Sequence, residues 1–426
     1  MTARYAGHLV APGGTRRYND EAAYVPVPDP TSGHPANLTP VYEIVPGPLP
    51  LDADMPGLFR YRDLLPLAPA DPPVSLGEGG TPLLPLRSLA RRFGVRDLWL
   101  KDESRNPTWS YKDRLAAVAV TKARASAADT VVVSTTGNHG AAVAAYAAAA
   151  GLRCVALTLH SVPPTMRTLM QVFGAMVVAY DDPADRWTVM REAVAKRGWV
   201  PMSSFTQPPA GSNPFGVEGY KTIAYELFQQ LGRVPDVVVV PTAYADGLAG
   251  IHRGFADLRA LGLIERAPRL VAAEVYGPYE RALRHGQPLP DPLPMPGSVS
   301  FSTAVAYATG QGVAALRESA GVAVPVRSDD EIMSAQRDLA ATEGIYLEAA
   351  SITALLAVRR LLADGTLHPH DEVVVIGTSS GLKDVAATTA ALPGPVSASP
   401  TLDALDDILA TVPHVVGPVE ASHDDH

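Results

Sequence analysis

The sequence is poor in several features that mark particular classes of protein. Its 426 residues include a single cysteine, Cys154, which excludes an internal disulfide and a cysteine-rich zinc site, and we expect no metal. No apolar run reaches the roughly 18 residues of a membrane-spanning helix, and the first residues lack the apolar core of an export signal. The net charge of −9 disfavours nucleic-acid binding. These absences predict a cytoplasmic enzyme that binds neither membranes nor nucleic acids.

Proline, in contrast, is abundant. The chain contains 40 prolines, nearly twice the usual share of about 5%. They concentrate in residues 1–75, in residues 287–296 and after residue 393. The first segment shows no sustained helical period, so we predict an N-terminal arm (1–75) that lies over the body of the protein. A C-terminal tail (393–426) is predicted at the other end, and the proline-rich segments are candidate rigid lids.

In the middle of the chain, apolar strand-like runs alternate with alanine-rich helical stretches. The predicted strands are Asp97–Lys101, Thr130–Ser134, Cys154–Leu159, Met176–Tyr180, Val237–Pro241, Leu270–Val275 and Glu372–Gly377. The predicted helices include Tyr111–Ala127, Gly140–Ala150, Pro164–Phe173, Asp185–Arg197, Gly219–Leu231, Leu248–Leu261, Ser328–Glu343 and Ala349–Ala363. This alternation predicts an α/β fold with parallel sheets covered on both faces. The strands could form two open sheets or one eight-stranded barrel.

Three turns between a predicted strand and the following helix are rich in hydroxyl-bearing or small residues. They are residues 134–140, which run Ser-Thr-Thr-Gly-Asn-His-Gly, residues 242–247 and residues 377–383. Ser and Thr in such turns often only cap the helix. Alternatively, hydroxyl groups and free amides at a helix N-terminus bind a carboxylate or a phosphate. Because open parallel sheets bind ligands at the carboxyl ends of their strands, these turns are candidate ligand sites.

A lysine, Lys112, stands at the predicted start of a helix, after the sequence Asn-Pro-Thr-Trp-Ser-Tyr. A lysine in this position is normally a surface residue. The helix dipole disfavours a cation there, however, and the same field lowers the pKa of the lysine and leaves a nucleophilic amine. Lys112 is therefore a candidate catalytic residue.

Together these features resemble the pyridoxal-phosphate enzymes of fold type II, the tryptophan synthase β family, and within that group they resemble the threonine synthases most. The resemblance covers roughly residues 58–388, and its motifs include Ser75-Leu-Gly-Glu-Gly-Gly-Thr-Pro, Asn213-Pro-Phe-Gly-Val-Glu-Gly and Gly381-Leu-Lys-Asp. It implies two open, twisted, parallel-sheet domains, each with three α/β/α layers, and a cofactor between them. The large domain would comprise residues 76–118 and 207–392, and the small domain residues 119–206.

The resemblance also implies roles for individual residues. Lys112 would form the Schiff base with pyridoxal 5′-phosphate and carry the α-proton, with Tyr111 packed beside it. Asn138 would bind the ring hydroxyl, and Thr378 would face the pyridine nitrogen. The cofactor phosphate would lie in a cup formed by Ala243, Tyr244, Ala245, Asp246 and Gly247. The substrate would contact Ser134, Thr135, Thr136, Gly137, Asn213 and Trp109.

Three residues depart from the threonine synthase pattern. Trp109 replaces a small residue and would fill the substrate pocket or form a lid. Gly216 stands where an arginine would help to hold a substrate phosphate. Asp246 puts a carboxylate into a cup that is usually glycine-rich, which would repel a phosphate unless the side chain points away. His139, which follows Asn138, is expected to be structural rather than a general base.

The resemblance implies a lyase that cleaves a carbon–oxygen bond to phosphate. O-phosphohomoserine would lose phosphate, and water would add to give threonine, in an enzyme expected to be a homodimer. The departures leave two alternatives open. One is a β- or γ-replacement enzyme or a serine/threonine dehydratase with another substrate, including one of specialised metabolism. The other is a catalytically inactive regulatory homologue.

Overall fold

Strands and helices alternate along the chain in the computed structural model, which describes residues 2–30, 32–286 and 291–411. The strands are β1 Ala3–Val10, β2 Arg17–Tyr18, β3 Val27–Pro28, β4 Pro35–Ala36, β5 Thr39–Ile44, β6 Leu83–Pro85, β7 Asp97–Asp102, β8 Thr130–Ser134, β9 Arg153–Leu159, β10 Met176–Tyr180, β11 Val200–Pro201, β12 Val237–Pro241, β13 Arg269–Glu274, β14 Val322–Pro325 and β15 Glu372–Gly377. All seven predicted strands are present, with ends that differ by at most one residue.

The helices also follow the predicted order. They are α1 Arg87–Phe93, α2 Lys112–Ala125, α3 Asn138–Ala150, α4 Pro164–Val172, α5 Pro183–Arg197, α6 Pro214–Val217, α7 Lys221–Leu231, α8 Asp246–Ala260, α9 Pro278–His285, α10 Gly310–Glu318, α11 Asp329–Glu343, α12 Ala349–Ala363, α13 Val385–Ala390 and α14 Leu402–Thr411. In the described part of the chain, none of them is long and apolar enough to cross a membrane.

The larger of the two parallel sheets has six strands in the order β14-β13-β12-β15-β7-β6, and only β6 runs antiparallel to its neighbour. Strand β12 shows why this sheet is buried on both faces. Val238 and Val240 pack into the core that contains α7 and α8, whereas Val237 and Val239 pack with α11 and α12 on the opposite face. A continuous run of β-branched residues is typical of a strand covered on both sides.

The smaller sheet has four parallel strands in the order β10-β9-β8-β11. Along β8, Val131 and Val133 pack towards α2 and α3, and Val132 packs on the other face with Met190 of α5. Cys154 on β9 is buried and free, as its strand-like setting predicts.

Two open sheets are therefore present, and the barrel alternative is wrong. The strands of the small sheet lie inside residues 119–206, and those of the large sheet lie inside residues 76–118 and 207–392. The domain boundaries themselves stay predictions.

The N-terminal arm contains strands that the sequence patterns did not indicate. Strands β2, β1 and β5 form a small antiparallel sheet, and the register between β1 and β5 shifts between Tyr5 and Leu9. Pairing that is interrupted by such an irregularity leaves little period-two signal. The arm contacts the body through Leu9 and Leu38, which cluster with Phe215. Its Asn37 also donates from Nδ2 to the main-chain oxygen of Ser212, at 2.5 Å.

Glycines allow α6 and the turn that follows it to lie directly on α2. A Cβ atom at Gly216 would lie 2.9 Å from Cγ of Leu115 and 3.0 Å from Cβ of Ala119. A Cβ atom at Gly219 would lie 2.0 Å from the carbonyl oxygen of Arg114. No larger side chain fits at either position without movement of α2, the helix that begins with Lys112.

A methyl group at either glycine is expected to destabilise the protein. Gly216→Ala forces Leu115 to move and should lower the free energy of unfolding by about 1–3 kcal/mol. Gly219→Ala meets a main-chain oxygen, which has less freedom to move, so it should cost more. Thermal unfolding of cofactor-saturated protein measures both effects.

Gly310→Ala is the matched control for this prediction. Gly310 opens α10, and no atom lies within 4 Å of a Cβ placed there. Alanine is favoured over glycine in a helix by roughly 0.5–1 kcal/mol, so the control should be as stable as the parent or slightly more stable. Gly216→Ala and Gly219→Ala proteins that unfold like the control would contradict the close contact with α2.

Candidate active site

A cavity of about 280 Å³ lies where the carboxyl ends of strands from both sheets converge. The turn after β8 lines it from the small sheet, and the turns after β12 and β15 line it from the large sheet. The start of α5 and residues 301–307 of a long loop complete the wall. Both sheets thus contribute to one site, in the position where parallel sheets bind ligands.

Lys112 lies in this cavity as the first residue of α2. Its Nζ atom lies 5.0 Å from the ring centre of Tyr111 and 5.8 Å from that of Tyr220. Burial lowers the pKa of Lys112, and the negative charge of Asp246 partly opposes this shift. A lysine with a lowered pKa supplies the neutral amine that nucleophilic chemistry needs.

The loop before Lys112, residues 106–111, is fixed to the end of β15 and to the segment that follows it. The amide of Tyr111 donates to the carbonyl of Thr378, at 2.9 Å. Nζ of Lys383 donates to the carbonyl of Thr108, at 2.7 Å, and Asp113 accepts from the amide and hydroxyl of Thr108, at 2.7 and 2.6 Å. Burial raises the pKa of Asp113 to about 7 and lowers that of Lys383 to about 8. Through Lys383, the predicted Gly-Leu-Lys-Asp motif therefore positions the loop that leads to Lys112.

A buried guanidinium anchors α2 just after Lys112. Arg114 donates to Glu103 at 2.7 and 2.8 Å and to Glu226 at 2.7 Å through two nitrogens. Lys101 of β7 donates to the same Glu226, at 2.6 Å. Burial alone would raise the pKa of Glu226, but the charges of Arg114 and Lys101 lower it. The first turn of α2 is thereby joined to β7 and α7.

The turn after β8 combines a helix cap with a ligand-facing surface. The hydroxyl of Thr135 accepts from the amides of Gly137 and Gly140, at 3.0 and 2.9 Å, so this side chain caps the turn as the simpler interpretation predicts. Ser134, Thr136 and Asn138 are half-buried and line the cavity. The three side chains are therefore available to a ligand.

Asn138 is oriented by Glu348, a residue that the sequence analysis did not identify. Nδ2 of Asn138 donates to Glu348 at 2.7 Å, and its Oδ1 accepts from the hydroxyl of Ser379 at 3.4 Å. Glu348 also accepts from the hydroxyl of Ser302. The carboxylate thus joins the turn after β8 to the long loop over the cavity. Because Glu348 accepts from one N–H of the Asn138 amide, it also determines which N–H is left for a ligand.

His139 lines the cavity beside Asn138, and its Nε2 atom has no hydrogen-bond partner among the described residues. Burial, with a contribution from the charge of Lys112, lowers its pKa well below the usual range. The imidazole is therefore neutral at physiological pH. Its expected structural role stays a prediction.

The turn after β12 has the geometry of an anion cup. Ala245 has a left-handed backbone (φ 60°) immediately before the first turn of α8, and such a turn points successive amides in one direction. Gly247 is required because a Cβ there would lie 2.7 Å from the ring of Tyr111. The carbonyl of Tyr244 accepts from Thr309 and Gln311, at 2.8 and 3.1 Å, which ties the cup to the loop above it.

The carboxylate of Asp246 is occupied by donors of the protein. It accepts from the amide and hydroxyl of Ser212, at 2.9 and 2.6 Å, and from Nε2 of Gln311, at 2.8 Å. These three hydrogen bonds direct the carboxylate towards Ser212 and Gln311, so its oxygens are occupied by donors of the protein.

Thr378 lines the cavity at the end of β15. Its hydroxyl forms a 2.9 Å hydrogen bond with the hydroxyl of Ser351, which also accepts from the amide of Ser379 at 3.1 Å. Ser351, at the start of α12, was not identified from the sequence and fixes the orientation of the Thr378 hydroxyl.

Twelve of the fifteen residues predicted for the site line this cavity, and three do not. Those that line it are Tyr111, Lys112, Ser134, Thr135, Thr136, Asn138, Ala243, Tyr244, Ala245, Asp246, Gly247 and Thr378. Gly137 lies behind it, where a Cβ would meet Met166 at 2.9 Å.

The other two residues have positions that differ from those predicted. Trp109 is not among the residues that line the cavity; its backbone is left-handed (φ 63°) and the residue is 44% exposed. Asn213 does not reach the cavity, because its side chain caps α6 by accepting from Phe215 and Gly216, at 3.1 and 3.0 Å. Gly216 faces α2 rather than the cavity, so the missing arginine has no room at this position.

Sequence reasoning missed two other parts of the wall. Arg186 lies in the first turn of α5, which follows β10, so the rule that ligands bind after parallel strands could have indicated it. Residues 301–307 enter through a long loop with no strand before it, and no local pattern indicated them. Residues 287–290 of the second proline cluster lie outside the described residues, but Met295, from the same cluster, lines the cavity.

The residues present fit pyridoxal 5′-phosphate. The amine of Lys112, whose pKa is lowered by burial, matches its aldehyde, and the first-turn amides of α8 match its phosphate. The free side of the Asn138 amide and the Thr378 hydroxyl match the ring hydroxyl and the ring nitrogen. All these groups line one cavity.

Comparison with known proteins agrees with this fit. Residues 74–379 match the family model described as pyridoxal-phosphate dependent enzyme. The chain is 32% identical over 357 residues to a threonine synthase of Methanocaldococcus jannaschii, an alignment that covers 82% of this chain and 86% of that protein. It is 33% identical over 334 residues to a threonine synthase of Synechocystis, which covers 76% of this chain and 82% of the relative.

Solved structures show the same fold at lower sequence identity. The processed form of threonine deaminase isoform 2 from Solanum lycopersicum matches with a TM-score of 0.62 and 20% identity, over 79% of this chain and 89% of that one. O-ureido-L-serine synthase matches with a TM-score of 0.61 and 22% identity, over 78% and 96%. The chain has the α/β architecture of fold type II, it is similar to threonine synthases, and it belongs to the family of pyridoxal-phosphate dependent enzymes.

Proposed function

We propose that the protein is a threonine synthase, which converts O-phospho-L-homoserine and water into L-threonine and phosphate. The observation that carries this proposal is the identity of about 32% to threonine synthases over more than three quarters of the chain, together with a lysine amine in the cavity where the turns meet. The family and the donor groups that surround Lys112 support the proposed pyridoxal 5′-phosphate site.

Lys112 is the proton carrier in this proposal. When bound, pyridoxal 5′-phosphate withdraws electrons from the substrate and makes its α-proton removable. The Nζ atom of Lys112 takes that proton and returns it, because burial lowers its pKa and favours the neutral amine that can accept a proton. The rings of Tyr111 and Tyr220 restrict the movement of the amine and exclude water from one side.

The polar residues around the lysine orient the reactants. Glu348 holds the Asn138 amide, whose remaining N–H would bind the ring hydroxyl. Ser351 holds the Thr378 hydroxyl, which would be the partner of the ring nitrogen. A neutral partner at that nitrogen limits its protonation, and this favours elimination and replacement over transamination. The half-buried Ser134 and Thr136 would bind the substrate carboxylate.

The residues that suggested the two alternatives give them little support in the structure. Trp109 and Gly216 suggested another substrate, but neither lies in the cavity. Asp246 suggested an inactive homologue, but its carboxylate is held by Ser212 and Gln311. The turnover assay described next distinguishes a threonine synthase from a replacement enzyme or dehydratase with another substrate.

Turnover of defined substrates tests the proposal. Purified, cofactor-saturated protein should release inorganic phosphate from O-phospho-L-homoserine and form L-threonine in equal amounts. Chromatography of the amino-acid product and a phosphate assay measure both. Ammonia release from L-serine or L-threonine, with no phosphate release from O-phospho-L-homoserine, would establish the dehydratase alternative instead.

Replacement of the lysine tests the cofactor site without relying on turnover. Lys112→Ala should lose the long-wavelength absorbance of covalently bound cofactor. Borohydride reduction of the parent protein, followed by mass spectrometry, should place the cofactor on the peptide that contains residue 112. Lys196→Ala, at an exposed lysine of α5, is the control and should behave like the parent. Labelling of a different lysine would refute the assignment.

A further inference from the structure

The cavity wall contains a buried cation that no carboxylate balances. Arg186 projects from the first turn of α5, and only 6% of it is exposed. Its Nη1 donates to the carbonyl of Thr135 at 3.2 Å, and its Nε donates to the carbonyl of Pro183 at 3.3 Å. Among the described residues, no carboxylate oxygen lies within 4.0 Å of it, so it forms no ion pair within the protein.

An unpaired buried charge is costly unless something balances it. Of the described residues that line the cavity, three carry a side chain that is charged in its ordinary state, namely Lys112, Arg186 and Asp246. Asp246 is held by Ser212 and Gln311, and the amine of Lys112 has a lowered pKa. Arg186, which stays protonated at every physiological pH, is thus the cation left for a ligand.

The guanidinium of Arg186 also has the fixed orientation and the available N–H donors that anion binding requires. Two main-chain carbonyls fix its plane, and its Nη2 has no hydrogen-bond partner among the described residues. Arginine has five N–H donors, and two parallel ones fit a carboxylate or phosphate. Its charge acts on Tyr244 in the phosphate cup across the cavity: burial raises the pKa of that hydroxyl to about 12, and Arg186 opposes the rise.

We infer that Arg186 binds the anionic group at the far end of the amino-acid substrate and thereby selects substrates that carry one. The identification of that group as the phosphoryl group of O-phospho-L-homoserine rests on the proposed function. Its anchoring carbonyl belongs to Thr135, in the turn expected to receive the α-carboxylate, so one turn would position both ends of the substrate. With no room for an arginine at Gly216, α5 supplies the guanidinium instead.

Steady-state kinetics of charge variants test this inference. Arg186→Gln should raise KM for O-phospho-L-homoserine by about 10- to 100-fold, the effect of one charge-assisted contact, and should change kcat less. Arg186→Lys keeps the charge but loses the paired donors, so its KM should fall between the two. Arg191→Gln removes an exposed arginine of the same helix outside the cavity and should match the parent.

The affinity for the cofactor separates the two anions that Arg186 could meet. Binding of pyridoxal 5′-phosphate to the apoprotein should change less than twofold in Arg186→Gln. A variant that loses cofactor affinity but keeps its KM would show that the guanidinium serves the cofactor phosphate, and this would overturn the inference. Thermal unfolding of the variants confirms that they are folded.

Ligand binding tests the inference even if the proposed function fails. The absorbance of the bound cofactor reports binding of O-phospho-L-homoserine and L-homoserine, and of O-phospho-L-serine and L-serine, without turnover. The parent should bind the phosphorylated member of at least one pair more tightly, and Arg186→Gln and Arg186→Lys should reduce that preference. A parent with no preference for either phosphorylated ligand, or variants that retain it, would contradict the role of Arg186.

Discussion

The position of Lys112, the proposed catalytic residue, depends on the buried guanidinium of Arg114, two residues further along α2. It binds carboxylates from the end of β7 and from α7, and both its side chain and Glu103 are fully buried. Removal of one partner from such a network costs about 3–5 kcal/mol, because a buried charge is left unpaired. Helix α2 also packs on α3 of the small sheet. One network therefore fixes Lys112 relative to strands of the large sheet and to the helix that follows the turn at Asn138.

Two basic side chains, Lys112 and Arg186, line the cavity, and their environments differ. Burial lowers the pKa of Lys112, which favours the neutral amine needed for its proposed roles as nucleophile and proton carrier. Arginine keeps its proton when buried, which suits Arg186 to the proposed binding of an anion. The third charged side chain, Asp246, is held by Ser212, whose carbonyl in turn accepts from Asn37 of the N-terminal arm. The arm thus contributes to the site although it lies outside the segment matched by the family model.

Local patterns predicted the strand and helix order and the turns of the site, because apolar periodicity and hydroxyl-rich turns are properties of short segments. The direction of a side chain depends on the backbone around it and was not predictable in the same way. Trp109 has a positive φ and lies outside the cavity lining, and Asn213 was assigned to the substrate although it caps a helix. The role of Glu348 depends on a contact between distant segments, whereas Arg186 follows β10 and was overlooked although its position after a parallel strand could have indicated it. The strands of the arm were missed because the pairing of β1 with β5 is irregular.

Isotope labelling of the reaction tests the central claim most directly. A lyase cleaves the carbon–oxygen bond to phosphate and then adds water to carbon, whereas simple hydrolysis adds water to phosphorus. The reaction is run on O-phospho-L-homoserine in water enriched in heavy oxygen, and mass spectrometry locates the label. The account predicts label in the hydroxyl group of threonine and none in the released phosphate. Label in the phosphate, with homoserine as the product, would contradict it.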